Sequence, residues 1–364
     1  MTVSRKLGRP GSTPSLLDAK GLTVCYETGM GRVKALSSVD LAIQGREFLA
    51  VVGESGCGKT TLGLSLIGLL PPKSARVTGG SIGYKGVDLA HLSQSELRHY
   101  RGSEISMIFQ EPLTSLNPLR RVGNQIAEAI ILRKERKEGR TGPGETGLRV
   151  YDSRSSDIPR LPRFGKKLPR SLRSEVSELL RLVRIPDPEQ IIDRYPFELS
   201  GGMRQRVMIA MALSQQPALL IADEPTTALD VTTQAQVLRL MSEIRDKLGT
   251  TIVLVTHDLA VASQVADRVI VMYAGEIVED ASIYELFSDP QHPYTKGLLA
   301  CIPKGTRRDA SLVPIKGSIP DLTIERVGCK FQPRCPYSMQ RCSEKDPVLV
   351  RTKENHEVAC FLYG

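Results

Sequence analysis

Apolar and polar residues alternate at the start of the chain. In LLDAKGLTVCYE, Leu22, Val24 and Tyr26 fall on one side of an extended backbone. GMGR then supplies turn chemistry and VKALSSVDLAI follows, so an antiparallel β start is expected. Further along, the pattern changes from alternating to continuous. REFLAVV (46–52), ISMIFQ (105–110), ALLIAD (218–223) and TIVLVTH (251–257) are short unbroken apolar runs, as expected of strands buried on both faces. A helix is expected over TLGLSLIGLL, stopped by Pro71 and Pro72. Buried strands separated by helices predict an α/β fold with a parallel sheet. The stretch 112–198 reads as mainly helical and irregular, and from about residue 303 the texture turns to Pro, Cys and charge, as of a separate tail.

Length and charge narrow this picture. A chain of 364 residues suggests two domains, or one large domain with appendages. The net charge of +9 is concentrated: between Arg133 and Arg173 stand thirteen Lys or Arg against five Asp or Glu, a surplus of eight. Nine Gly or Pro in that window make it read as a solvated irregular insertion, with contact to anionic lipid or a partner as the functional alternative. No apolar run approaches the roughly 18 residues of a membrane span, and MTVSRKLGRPGSTPS lacks the apolar core of a signal peptide. A cytoplasmic location is expected.

The chemistry begins at GESGCGKT, Gly53, Glu54, Ser55, Gly56, Cys57, Gly58, Lys59 and Thr60, followed by Thr61. This G-x-x-x-x-G-K-[ST] run lies between an expected strand and an expected helix, the context of a phosphate-binding P-loop rather than a structural turn. Glycines let successive backbone N–H groups converge on phosphate oxygens at a helix N-terminus. Lys59 is expected to reach the β and γ phosphates and Thr60 to hold Mg²⁺. Cys57 reads as a small residue, with a redox-sensitive thiol as the alternative. Asp223, ending a buried strand, is expected to face Mg²⁺, and Glu224 to polarise an attacking water. His257, at the end of another strand, is a γ-phosphate contact or a structural histidine. In LSGGMRQR, Ser200 can cap the helix that follows, with Met203, Val207, Ala210 and Met211 as its buried face. That makes a second anion site.

The order GESGCGKT, MIFQEP, LSGGMRQR, ALLIADEPTTALD and VTHD resembles the nucleotide-binding subunit of an ABC transporter over roughly residues 15 to 300. The resemblance implies a P-loop NTPase of ABC type: a RecA-like parallel-sheet core, an N-terminal antiparallel β subdomain and an inserted α-helical subdomain at about 112–200. It gives a nucleotide-binding domain over 15–302 and a Cys-rich C-terminal extension over 303–364. ATP and Mg²⁺ are the implied ligands, with Thr60, Gln110 and Asp223 at the metal. Gln110 resembles the glutamine that senses Mg²⁺ and the attacking water. Tyr26 resembles the aromatic that stacks on adenine, a core strand tyrosine being the alternative. Asp230 resembles the aspartate that crosses to a neighbouring subunit, and Ser200, Gly201 and Gly202 resemble the turn that closes over ATP held by that neighbour. Met203 stands where the family commonly has Gln, which puts in doubt any ribose or phosphate contact by that side chain.

EPLTSLNP after Gln110, HPYTKGLLACIP near residue 300 and the Cys-rich ending are similar to the ATPase subunits of oligopeptide and dipeptide importers, whose relatives also move nickel and other small solutes. The implied partners are a second, paralogous ATPase subunit, two integral membrane permease subunits and an extracytoplasmic solute-binding protein, with no nucleic acid. The implied location is peripheral, on the cytoplasmic face of the bacterial inner membrane. Cys329, Cys335, Cys342 and Cys360 follow C-x5-C-x6-C-x17-C, which is neither a zinc-ribbon nor a ferredoxin spacing. The same arrangement in peptide-importer ATPases is associated with a 4Fe-4S cluster, with zinc and unligated thiols as alternatives. A nucleic-acid ATPase and a non-hydrolysing regulatory subunit are the rival functions.

Overall fold

The computed structural model describes residues 15–29, 31–110, 115–137, 168–227, 229–302, 314–324 and 326–364. Most of the basic insertion and residues 111–114 of EPLTSLNP lie outside the described residues. The alternating start forms the expected antiparallel layer. Strands β1 (Leu17–Thr28), β2 (Gly31–Ile43), β4 (Ala75–Tyr84) and β5 (Val87–Asp88) order as β2-β1-β4-β5. Leu22 and Val24 are fully buried and Tyr26 partly so.

The continuous apolar runs form β3 (Phe48–Val52), β6 (Ile105–Ile108), β7 (Leu219–Asp223) and β8 (Thr251–Thr256). With β9 (Arg268–Tyr273) they make a parallel core in the order β9-β3-β8-β7-β6. Both faces are covered, which explains the lack of alternation. Leu49, Val51, Leu219, Ile221, Val253 and Val255 pack toward the antiparallel layer, and Phe48, Ala50, Val52, Leu220, Ile252 and Leu254 pack toward the helices. Register aligns the strand ends: Val52 pairs with Thr256, Val255 with Asp223 and Ala222 with Ile108. Residues just past those positions therefore meet along the carboxyl edge of the sheet, where open α/β sheets bind ligands.

Helix α1 (Lys59–Leu66) is shorter than expected. It stops at a left-handed Gly68 (φ 65°), where Arg101 donates to the carbonyls of Ile67 and Gly68, so the glycine and not Pro71 and Pro72 ends it. Helices α2 (Val122–Lys137), α3 (Arg170–Leu182) and α4 (Gly201–Leu213) pack on one another, and α3 buries Leu172, Val176 and Leu180 at helical spacing. The buried face of α4 is wider than the sequence implies. Met208, Ile209 and Leu213 join Val207 and Ala210, and Met203 and Met211 are only partly buried, because α4 sits between α2, α3 and strand β6. Helix α5 (Val231–Leu248) follows β7.

Beyond β9 the sheet continues antiparallel through β10 (Glu276–Ser282), β12 (His356–Val358) and β11 (Val350–Lys353). The last hairpin of the chain thus extends the sheet that carries the P-loop. His356 and Glu279 form a wholly buried pair at 2.7 Å, and the Glu279 carboxylate also accepts from the backbone N–H of Gln291 (2.7 Å) and His292 (2.9 Å). Those two residues lead into α6 (Pro293–Ala300).

Candidate active site

The turn from β3 to α1 is shaped by two close approaches. A Cβ on Gly53 would lie 2.3 Å from the Met272 carbonyl oxygen and 2.7 Å from Cys57 Sγ. On Gly58 (φ 104°) it would lie 2.6 Å from the Ala35 carbonyl oxygen. Both positions need glycine. Helix α1 then starts with no side-chain cap and no acid in its first turn, a helix terminus open to an anion. Lys59 is buried, and its ammonium donates to the carbonyls of Gly53 (2.8 Å) and Glu54 (2.9 Å). Ser55 and Gly56 are exposed at the loop tip. Burial pushes the Cys57 thiol above its ordinary pKa, against the pull of Lys59, so it is a packed neutral side chain. The Tyr26 hydroxyl accepts from Thr61 at 3.5 Å, which puts the tyrosine beside the start of α1.

Across the sheet edge, Thr60 Oγ1 donates to Asp223 Oδ1 at 3.2 Å. Asp223 is 3% exposed; burial, with the neighbouring Glu224 charge, lifts its carboxyl above the ordinary range despite the opposing Thr60 bond and Lys59 charge. One hydroxyl and one desolvated carboxylate facing each other are hard oxygen donors that suit Mg²⁺. Glu224 adopts a left-handed φ of 44°, a strained conformation for this residue, of the kind that clusters at active sites. Its carboxylate accepts from Gln110 Nε2 (3.1 Å) and Thr227 Oγ1 (2.9 Å) and pairs with His257 Nδ1 (3.1 Å). Burial works to raise this carboxyl, yet the bonds from His257 and Thr227 and the Lys59 charge outweigh it and hold it below its ordinary value. Gln110, Glu224 and His257, three residues named from separate motifs, thus form one hydrogen-bonded group, with Asp223 and Thr60 alongside.

Ser200 and Asp230 belong to a different group. Ser200 caps α4 by accepting from the Met203 N–H at 3.3 Å, and Asp230 caps α5 by accepting from the Thr233 N–H at 3.0 Å. A Cβ on Gly202 would come 2.5 Å from Thr233 Cγ2, so the two helix starts touch. Ser200, Gly201 and Asp230 are exposed and Val231 is 83% exposed. The hydrogen bonds of Ser200 and Asp230 stay within their own helix starts.

Three contacts escape the sequence reading. Thr227 binds Glu224, Tyr294 OH accepts from the Glu54 N–H (2.8 Å), and Arg334 grips the Glu54 side chain. Thr227 was visible in ADEPTTALD, three residues after the carboxylate; the other two depend on a fold that returns distant chain to the P-loop.

Cys329, Cys335, Cys342 and Cys360 line one cavity with Phe331 and His292. All four are free thiols. Burial, reinforced by the other three thiols, pushes Cys329 up to about 12, and burial raises Cys335 and Cys360 as well. Among the described residues no group of three or more His, Cys, Asp or Glu is drawn together closely enough to hold a metal ion. The four cysteines share this cavity without forming such a group.

Residues 36–227 match the family model described as ABC transporter, and residues 278–342 match that of the oligopeptide/dipeptide transporter C-terminal region. The chain is 45% identical to a probable peptide ABC transporter ATP-binding protein of Sinorhizobium fredii, over 95% of this chain and 94% of the relative. It is also 45% identical, with the same coverage, to the dipeptide transport ATP-binding protein DppD of Bacillus subtilis. The oligopeptide transport ATP-binding protein AppD of that organism is 43% identical over 96% of this chain and 97% of the relative. Among solved structures, the dimeric post-hydrolysis cassette MJ0796 bound to ADP and Pi superposes with a TM-score of 0.58 at 26% identity, covering 73% of this chain and 98% of that one. The cbiO1 subunit from Clostridium perfringens gives 0.56 at 25% identity, covering 76% and 92%.

Proposed function

The chain belongs to the ABC transporter family of ATP-hydrolysing subunits, and from that premise we propose that it powers peptide import by closing head to tail on a second ATPase subunit. The observation that carries the head-to-tail reading is the exposure of Ser200 and Gly201 beside Asp230, their capping bonds spent locally and their outer face open. In this reading Gly53–Thr60 cradles the phosphates of ATP, Lys59 meets the β and γ phosphates, and Thr60, Gln110 and Asp223 would hold Mg²⁺. Glu224 orients the attacking water, His257 contacts the γ-phosphate and Tyr26 stacks on adenine. Ser200–Gly202 seals the ATP of the neighbouring subunit, where one positioned donor to developing charge is worth about 3 kcal/mol.

The peptide assignment draws on relatives named for peptide, dipeptide and oligopeptide transport and on the match of residues 278–342. None of these three is named for nickel, and the same match favours a transporter subunit over a nucleic-acid ATPase. Among the described residues no helix is long and apolar enough to cross a membrane. As in an importer of this family, two permease subunits would supply the path and hold this subunit at the membrane's cytoplasmic face, with a solute-binding protein outside. We assign 15–302 to the nucleotide-binding domain and 303–364 to the extension. The four thiols that line one cavity match the donor set of a 4Fe-4S cluster in kind and number, and such a cluster would supply electron transfer or structural bracing there. Iron content and absorbance of anaerobically prepared protein test that part.

Reconstituting the co-purified complex in vesicles tests the whole. Peptide uptake that requires ATP, with faster hydrolysis when peptide and its binding protein are present, is the expected result. Uptake of nickel but not peptide would reject the assignment.

A further inference from the structure

Arg334 stands 280 positions beyond Glu54, yet the two side chains clasp each other. Its Nη1 donates to Glu54 Oε2 at 2.7 Å and its Nη2 to Oε1 at 3.0 Å, the forked pairing of guanidinium with carboxylate. The remaining donors are also engaged: Nε with the Lys316 carbonyl (2.9 Å), Nη2 with the Ile315 carbonyl (3.3 Å) and Nη1 with the Tyr273 hydroxyl (3.3 Å). All five N–H groups of a guanidinium are therefore used. The side chain is 4% exposed, against 30% for Glu54, and lies over the rings of Tyr273 and Phe331.

Glu54 is the one acid in GESGCGKT. Its carbonyl receives the Lys59 ammonium and its N–H is held by Tyr294, so its backbone is part of the cradle. A free carboxylate on a loop that receives a polyanion opposes binding, and a fork from a buried guanidinium both offsets that charge and fixes where it points. We propose that Arg334 is a positioning residue for nucleotide binding: it draws the Glu54 carboxylate aside and neutralises it, so that the affinity of the P-loop for ATP depends on the C-terminal segment. The inference rests on the reading of Gly53–Thr60 as the ATP site. Arg334 lies in the short turn between Cys329 and Cys335, so whatever displaces that turn loosens the clasp.

Titration of the full-length chain with Mg-ATP, paired with hydrolysis by the assembled complex, tests this. Arg334→Gln is expected to raise the Kd about tenfold, and KM with it, while kcat at saturating ATP changes by less than about twofold. Adding Glu54→Gln in the same chain restores most of the affinity, because no charge is left to neutralise. Arg334→Lys keeps the charge without the fork and loses about threefold, which covers the case in which the glutamine variant does not fold. Unchanged affinity in Arg334→Gln overturns the proposal. So does a loss that Glu54→Gln does not repair, or one that falls on kcat alone. Lys59→Ala in the same titrations reports on the premise: if it binds ATP as the wild type does, the P-loop assignment fails whatever Arg334 does.

Discussion

Two turns rich in small residues open helices in this chain, Gly53–Thr60 before α1 and Ser200–Gly202 before α4, and they differ in how much of their surroundings the chain supplies. The first is enclosed by distant segments: Ala35 and Met272 press on its glycines, Tyr294 and Arg334 hold Glu54, and Asp223 meets Thr60. The second is supported from behind, by the Ser200 cap and by Thr233 against Gly202, and is bare in front. Elements of similar local chemistry thus reach different states of completion within one fold. A finished cradle should bind its ligand in the lone chain; an unfinished one should act only when a second subunit arrives.

The largest effect expected on either side of this comparison comes from Glu224→Gln. It removes the carboxylate that gathers Gln110, Thr227 and His257, and should lower hydrolysis about 10²- to 10⁴-fold while ATP stays bound and the subunits stay closed. Phosphate release together with nucleotide retention measures both, and normal turnover would remove Glu224 from its role. Ser200→Ala sharpens the contrast. Hydrolysis by the assembled complex should fall about 10²-fold, with the ATP affinity of the isolated chain unaltered; an equal loss of affinity in the isolated chain would merge the two turns into one site.

A smaller change is expected from Thr227→Val. The Glu224 carboxyl is held below its ordinary value, so its interactions stabilise the fold above the ordinary carboxylate range and are lost as pH falls through the depressed value. With one donor gone the carboxyl rises and the acid limb of the hydrolysis profile moves to higher pH. The rate cost on that limb is about three- to tenfold. A profile that does not move would show that Thr227 leaves the carboxylate alone. The smallest effect belongs to the cap: Ser200→Ala should cost about 1 kcal/mol of stability and Ser200→Gly only a few tenths, read by denaturant unfolding. A larger loss would mean that the outer turn is more deeply integrated in the fold than its exposure implies.

What the sequence disclosed follows the same division. Val52, Asp223 and Thr256 end strands in register, so motifs placed just after strand ends had to converge, and Gln110, Glu224 and His257 do. Periodicity also foretold the antiparallel start and the doubly covered strands. It erred where tertiary contact overrules local signals: Arg101 on Gly68 ends α1 before the prolines, and packing on both sides buries Met208 and Ile209 in α4. It was silent on Arg334 and Tyr294, since nothing near either residue in sequence points to the P-loop.

The shared pocket is tested most directly by cysteine crosslinking between the two turns. In the ATP-loaded complex carrying Glu224→Gln, cysteines placed at Ser55 and Ser200 of this chain are oxidised and the products separated by size. The account predicts that ATP brings each introduced thiol within reach of the opposite turn of the neighbouring subunit, so that products formed with a matching cysteine there join two chains. A bond between Ser55→Cys and Ser200→Cys of one and the same chain, formed on ATP binding, would contradict it.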